Sequence, residues 1–103
     1  YRAANAFTMY MKTIPGVILV GDRTGGGSGL PFSSELPSGW SIRLSASPTL
    51  DVNGEHTEFG IAPDVRSHLG ANDRLNGKDS MIETAVHELR ARHDSLSKAA
   101  ALR

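Results

Sequence analysis

The sequence contains no cysteine, which excludes disulfide bonds and thiolate metal sites. It also lacks an excess of charge of either sign, since 11 Lys and Arg residues balance 11 Asp and Glu residues. A neutral balance gives no reason to expect nucleic acid or an anionic membrane as a partner. No apolar run reaches the roughly 18 residues that a membrane-spanning helix needs. None of these absences fixes the cellular compartment.

The chain is short and only moderately apolar. It has 103 residues, of which 39% are hydrophobic and 11 are glycine. This length suits one small domain or half of a larger one. We therefore expect a thin core that depends on further segments, and the start at Tyr1 predicts a piece of a longer protein.

The first third of the chain predicts a helix followed by a strand. Apolar residues recur at three- and four-residue steps over residues 2–13, and Pro15-Gly16 ends the pattern. Residues 17–20 form a continuous apolar run, which is typical of a strand buried on both faces in a parallel sheet. Together they predict an α/β unit.

The middle of the chain predicts antiparallel hairpins. Trp40, Ile42, Leu44 and Ala46 alternate with polar residues, which predicts a strand with one buried face. Residues 32–36 form its expected partner, joined through the turn at 37–39. Asn53-Gly54 is the strongest short hairpin signal and predicts that residues 49–52 reverse onto 55–59.

The last part predicts a C-terminal helix. Ser80 and Glu83 form a capping box, with Asp79 as a competing cap. The expected core-facing residues are Met81, Ile82, Ala85, Val86 and Leu89. Residues 94–103 keep helical propensity but lose the apolar stripe, so we expect this tail to fray.

The stretch from Val20 to Pro31, VGDRTGGGSGLP, resembles two catalytic loops without completing either. Gly21, Gly26 and Ser28 copy the spacing of a phosphate-binding loop, but its lysine is replaced by glycine and a strand follows. A nucleophile elbow around Ser28 fails because its last position is Leu30. Two readings remain, since either a ligand binds at these glycines or another segment passes close by.

A zinc site is not expected. His87-Glu88 begins like a zinc-binding helix motif, but the next histidine is His93, about 240° further around the helix. Both are therefore expected to be solvated, and His56 and His68 are expected to be surface residues.

The order of the segments resembles a known peptidase family. The stretches YRAAN, VILVGDRTGGGSGLPFSSELPSGW and LDVNGEHTEFGIAPDV follow one another in an order that extends the resemblance over roughly residues 1–90. They are similar to the C-terminal half of the catalytic core of tail-specific, or C-terminal-processing, serine peptidases, and most similar to the tricorn-core-like branch. The resemblance implies a crotonase-like α/β core with a β-hairpin region and a C-terminal helix.

The resemblance also implies roles for individual residues. The position of the nucleophilic serine falls on Arg2, and the Ala3 amide becomes an oxyanion donor. The lysine base of another branch would fall on Gly27, so a Ser-Lys pair is not implied. The tricorn-like branch instead uses an upstream histidine together with an orienting carboxylate that matches Glu58. The expected substrate-binding loop comprises Gly25, Gly26, Gly27, Ser28 and Gly29.

Two functions follow as alternatives. The first is part of a serine-type endopeptidase acting on peptides or proteins, completed by the upstream half of the domain. Arginine cannot act as a nucleophile, so this chain alone is expected to be inactive. The second is a non-catalytic relative that binds peptides. Neither implies a metal or an organic cofactor, and the residues do not reveal the oligomeric state.

Overall fold

The computed structural model describes residues 1–103 and has mixed α/β structure. It contains two helices and four strands: α1 Ala3–Lys12, β1 Val20–Gly21, β2 Leu30–Glu35, β3 Ser41–Ser47, β4 Val65–Arg66 and α2 Ser80–Ala101. The chain divides into two compact units. The first comprises residues 1–19 and 23–62, and the second comprises residues 20–22 and 63–103. Neither helix combines the length and the apolar character that crossing a membrane requires.

Helix α1 opens the first unit and confirms the predicted helix to within a residue at each end. It ends where the Thr13 amide donates to the Tyr10 carbonyl, at 3.1 Å. Pro15 follows, and Gly16 takes a positive φ of 85°, so the chain leaves the helix in a left-handed turn.

Strands β2 and β3 form the predicted antiparallel hairpin, with Phe32 opposite Leu44. The Leu36 amide donates to the Trp40 carbonyl at 2.7 Å and closes the turn. The prediction of a buried face is wrong, because Trp40 is 73% and Leu44 57% exposed. The alternation is that of a two-faced strand, but no second layer of this chain covers its apolar face.

The Asn53-Gly54 turn reverses the chain as predicted. The Asp51 amide donates to the Glu55 carbonyl at 2.9 Å, and an isolated bridge pairs Leu50 with His56. The Thr57 amide donates to the Thr49 carbonyl at 3.0 Å next to this bridge, but no strand extends from it.

The second unit contains a parallel pair of two-residue strands. Val20 of β1 lies opposite Val65 of β4, which confirms the parallel direction predicted for this region. The predicted strand over residues 17–20 is wrong in extent, since only Val20 of that run belongs to β1. Residues 17–20 are half-buried, and a two-stranded sheet cannot cover both sides of a strand.

Helix α2 begins after Asp79, so the predicted capping box at Ser80 is wrong. The Asp79 carboxylate accepts from the amides of Met81 and Ile82, both at 3.0 Å. Ser80 already lies within the helix, and its hydroxyl donates to the Asp73 carboxylate. The helix continues to Ala101 with its last turns exposed, and their fraying stays a prediction.

The molecule has no buried hydrophobic side chain. The prediction that one face of α2 packs into the core is wrong, since no residue of this helix is buried. The buried side chains are polar instead, and they are those of Asn5, Thr57 and Ser67. The thin core predicted from composition is therefore confirmed, and polar bonds hold much of the chain together.

Candidate active site at the start of the first helix

Arg2, immediately before α1, is the one non-glycine residue with a positive φ. Its φ of 51° and ψ of −108° lie outside the favoured regions of an L-residue. The Arg2 amide donates to the Gly26 carbonyl at 3.0 Å, and the Arg2 carbonyl accepts from Ala6 at 2.9 Å. These two bonds fix the residue from both sides. A backbone outlier of this kind costs about 1–3 kcal/mol and is often found at functional sites.

The start of α1 favours negative charge. Its N-cap residue makes no side-chain capping bond, and no acidic residue occupies the first turn. The amide of Ala3 is one of the first four of the helix, which have no intrahelical acceptor. The helix dipole adds a partial positive charge at the same end.

The glycine loop packs against the backbone of residues 57–61. The Gly27 amide donates to the Glu58 carbonyl at 3.0 Å. A Cβ atom at Gly26 would lie 1.9 Å from that same carbonyl oxygen, and one at Gly60 would lie 2.0 Å from the Thr24 carbonyl oxygen. The close passage of a second segment therefore accounts for these two glycines. Binding of substrate by the loop stays a prediction.

The Glu58 side chain faces the same loop. It is half-buried, and its Oε2 accepts from the Gly29 amide at 3.2 Å. Through its backbone Glu58 contacts Gly27, and Gly26 in turn contacts Arg2. The structure thus brings the predicted residues at 2, 26–29 and 58 into one connected region, with no direct bond between the Glu58 carboxylate and Arg2.

Three residues of this region were missed by the sequence analysis: Asn5, Thr24 and Thr57. The Asn5 amide group donates to the Ser28 hydroxyl and to the Thr57 carbonyl, the latter at 3.0 Å. Its Oδ1 accepts from the Thr24 hydroxyl, which itself accepts from the Ile61 amide at 2.7 Å. A usable signal existed for Asn5, because asparagine is a poor helix former and lies inside the predicted helix.

An open cleft of about 430 Å³ lies between the end of α1 and residues 51–62. Two cations line it, and each is bound to a backbone carbonyl. Lys12 donates to Ala62 at 3.2 Å, and Arg23 donates to Gly60 at 2.9 Å. Asp51 lies in the same lining, and the Glu55 amide that donates to it lowers its pKa. The charges of the cleft are mixed and specify no single ligand.

The comparisons with known proteins agree with this geometry. The sequence model of peptidase family S41 matches residues 1–67, which include the whole connected region. The chain belongs to peptidase family S41. The resemblance to C-terminal-processing peptidases is thereby confirmed at the level of the family, whose members are hydrolases.

Solved structures give further support to the S41 assignment. Three of their chains match, and one is a crystal structure of a candidate peptidase from Parabacteroides merdae. It is 56% identical to the S41 chain, with a TM-score of 0.82 over 92% of it. The chain spans 30% of the length of that structure. The comparison with curated proteins found no match.

The histidines of this S41 chain are surface residues. His68 Nδ1 is 2.5 Å from Asp22, and His93 is 3.7 Å from Asp94, both in the second unit. His56, His68, His87 and His93 are all exposed, which confirms their expected surface positions. No group of three or more His, Asp or Glu side chains is arranged to hold a metal ion.

Proposed function

We propose that the protein containing this chain has a serine-type peptidase site whose nucleophile position is occupied by Arg2. The observation that supports this most strongly is the backbone outlier at Arg2, placed at an uncapped helix start. The proposal includes a crotonase-like core and membership of the tricorn-core-like branch. It also includes completion of the site by the upstream half of the domain.

The chemistry needs a hydroxyl at position 2. Its oxygen would attack the peptide carbonyl carbon while its proton passes to a histidine supplied from upstream. The Ala3 amide would donate to the oxyanion that forms, since the helix start favours negative charge there. Collapse of this intermediate breaks the C–N bond, the amine leaves with the proton, and water then releases the acyl group. Glu58 would orient the charged base, directly or through another hydroxyl.

The same proposal assigns the substrate backbone to the glycine loop. Gly25 is exposed and Gly27 has a positive φ of 72°, and neither carries a Cβ atom that would block a peptide backbone. The ring of Tyr1 lies against Gly25. Strands β2 and β3 form a two-stranded sheet with free edges. An extended peptide could add to such an edge through main-chain hydrogen bonds.

Arg2 leads to the inactivity of the natural chain. Its guanidinium stays protonated and has no lone pair with which to attack a carbonyl. The hydroxyl, and not the fold, is the missing component on this view. Restoring serine at this one position should therefore restore reactivity.

The test uses the natural full-length protein, its Arg2→Ser variant and an Arg2→Ala control, each incubated with a fluorophosphonate probe. Both variants lose the guanidinium, but only one gains a hydroxyl. We expect the Ser variant alone to be labelled, at position 2 as mapped by mass spectrometry. Equal absence of label in all three proteins would contradict a hydrolytic site.

A second function, non-catalytic peptide binding, is favoured by the arginine itself. A guanidinium at the start of α1 could bind a peptide carboxylate instead of cleaving the chain. The natural protein should then bind fluorescent peptides that end in a free carboxylate more tightly than their amidated counterparts. Arg2→Ala should abolish that preference, whereas an unchanged preference would remove Arg2 from the binding site.

A further inference from the structure

Asn5 is the most deeply buried side chain of the molecule. It is 0% exposed, although no hydrophobic residue is buried at all. All three of its polar bonds go to residues distant in sequence: Thr24, Ser28 and Thr57. A buried polar group at this position has to be satisfied in every direction, because an unsatisfied one is costly.

The chemistry of these three bonds requires an amide. The Asn5 nitrogen donates twice, to Ser28 and to Thr57, while its oxygen accepts once, from Thr24. Asparagine has two N–H donors and a carbonyl acceptor. An ionised aspartate has the same shape but no donor, so it would place an oxygen against the Thr57 carbonyl.

The partners of Asn5 flank the contact between the glycine loop and Glu58. The Gly29 amide donates to Glu58 Oε2 at 3.2 Å. Ser28 directly precedes the donor residue, and Thr57 directly precedes the acceptor residue. Asn5 therefore bonds to the residue before Gly29 and to the residue before Glu58, on both sides of this contact. It also lies three residues after Arg2 on the same helix.

We propose that Asn5 is a positioning residue of the site, which holds the glycine loop and the Glu58 segment at the start of α1. It acts through Ser28 and Thr57 and does not touch the reacting atoms. Its role is to fix the Glu58 carboxylate and the Gly26 carbonyl relative to Arg2 and the Ala3 amide. This inference rests on the proposed function.

The test replaces Asn5 by its isostere in the full-length Arg2→Ser protein. The variant is Asn5→Asp, and the matched control is Asn72→Asp, the same change at an exposed residue of the second unit. At about pH 8 we expect the introduced carboxyl group to be ionised and fluorophosphonate labelling to slow about 10- to 100-fold. The control should label at the parent rate.

Acidification supplies the readout that a merely structural role would not give. Burial raises the pKa of an introduced carboxyl group, which then protonates and regains one donor. At about pH 5.5 the labelling rate of Asn5→Asp, divided by the parent rate at that pH, should therefore rise at least about fivefold. Dividing by the parent rate removes the pH dependence that both proteins share.

A second readout does not need a working nucleophile. In the natural Arg2 protein, hydrogen exchange is followed at the Arg2 amide, bound to Gly26, and at the Gly27 amide, bound to Glu58. Asn5→Asp should speed both at least about tenfold at neutral pH, because opening of the loop frees both donors. Asn72→Asp should leave them unchanged.

The outcomes distinguish the proposed peptidase function from the positioning role of Asn5. Absence of labelling in the parent Arg2→Ser protein would contradict the proposed function, while faster exchange at Arg2 and Gly27 would still support the role of Asn5 in holding the loop. Parental exchange rates in Asn5→Asp would overturn that role. So would a lower melting temperature accompanied by full labelling and no response to pH, since Asn5 would then stabilise the fold without positioning the site.

Discussion

The Asn5 cluster of the first unit and the Asp73 turn of the second unit use polar bonds in different ways. In the first unit, Asn5 binds residues that lie 23 and 52 positions away in the sequence. In the second, the Asp73 carboxylate accepts from the Gly70 amide at 2.7 Å and from the Ser80 hydroxyl, only three and seven positions away. The candidate site is held by the long-range bonds of the Asn5 cluster. Local bonds shape a loop and a helix start, whereas long-range bonds bring separate segments to one place.

This difference predicts where substitutions will be costly. A change in the Asn5 cluster should disturb several segments at once, because its partners come from three separate parts of the chain. A change in the Asp73 turn should stay within that turn. The following predictions test this contrast from the largest effect to the smallest.

Gly26→Ala should be the most damaging. Its Cβ would lie 1.9 Å from the Glu58 carbonyl oxygen, at a φ of 71°. Overpacking and backbone strain together should lower the free energy of unfolding by about 3 kcal/mol or more. Gly54→Ala is the matched control, since its φ is 79° but nothing lies within 4 Å. Its cost should be only about 1 kcal/mol in the same denaturant titration, and equal costs would show that steric contact is not the cause.

Thr24→Val should have the next largest effect. The Thr24 hydroxyl donates to Asn5 and accepts from the Ile61 amide, so its loss leaves two partners unsatisfied. We expect a loss of about 2 kcal/mol in thermal or chemical unfolding. Thr8→Val removes a hydroxyl that bonds only to the preceding helical turn, at Ala4, and should change stability little. A similar result for both variants would remove Thr24 from the network.

Asp79→Ala should weaken the start of α2 by about 1 kcal/mol, as expected for loss of an N-cap. The measurement is hydrogen exchange at Met81 and Ile82, whose amides Asp79 accepts from. Their exchange should become faster in Asp79→Ala and stay nearly unchanged in Ser80→Ala. Faster exchange in Ser80→Ala, with no change in Asp79→Ala, would instead support the predicted capping box at Ser80.

The smallest expected effect is a local dependence on pH. The Ser80 hydroxyl, followed by the Gly70 amide, lowers the pKa of Asp73 from its usual 3.8. The contribution of this carboxylate to stability is therefore fully present above pH 3.8 and is lost as pH falls through the lowered pKa. An NMR titration of the Gly70 amide should show a midpoint below 3.8 that is absent in Asp73→Asn. A midpoint at or above 3.8 would contradict the assigned cause.

The same contrast explains what could be predicted from the sequence. The helix over residues 3–12 and the turn at Asn53-Gly54 depend on near neighbours, and the residue pattern indicated both. The bonds of Asn5 could not be predicted, since its partners come together only after several segments fold. The cap of α2 was misassigned for a related reason, because the Ser80 hydroxyl is engaged by Asp73. The prediction of a buried face on β3 failed because alternation of apolar and polar residues indicates two different faces but not what covers them.

For the candidate site, the resemblance named Arg2, Ala3, Glu58 and the glycine loop, and the structure connects them. Without the resemblance, the residue pattern gave no catalytic role to Glu58 and left the glycine loop open between ligand binding and close passage of another segment. The close contacts of Gly26 and Gly60 explain two of the glycines through packing and not through a ligand. A glycine-rich stretch can therefore mark a site by allowing segments to meet there.

The central claim is that the full-length protein containing this S41 chain carries a peptidase site that lacks only its nucleophile. The most direct measurement compares hydrolysis of an unstructured protein by the natural full-length protein, by Arg2→Ser and by Arg2→Ala. We predict hydrolysis by Arg2→Ser alone, abolished by prior treatment with the fluorophosphonate probe. Hydrolysis by the natural protein that persists in Arg2→Ala would contradict the claim, because the nucleophile would then lie elsewhere.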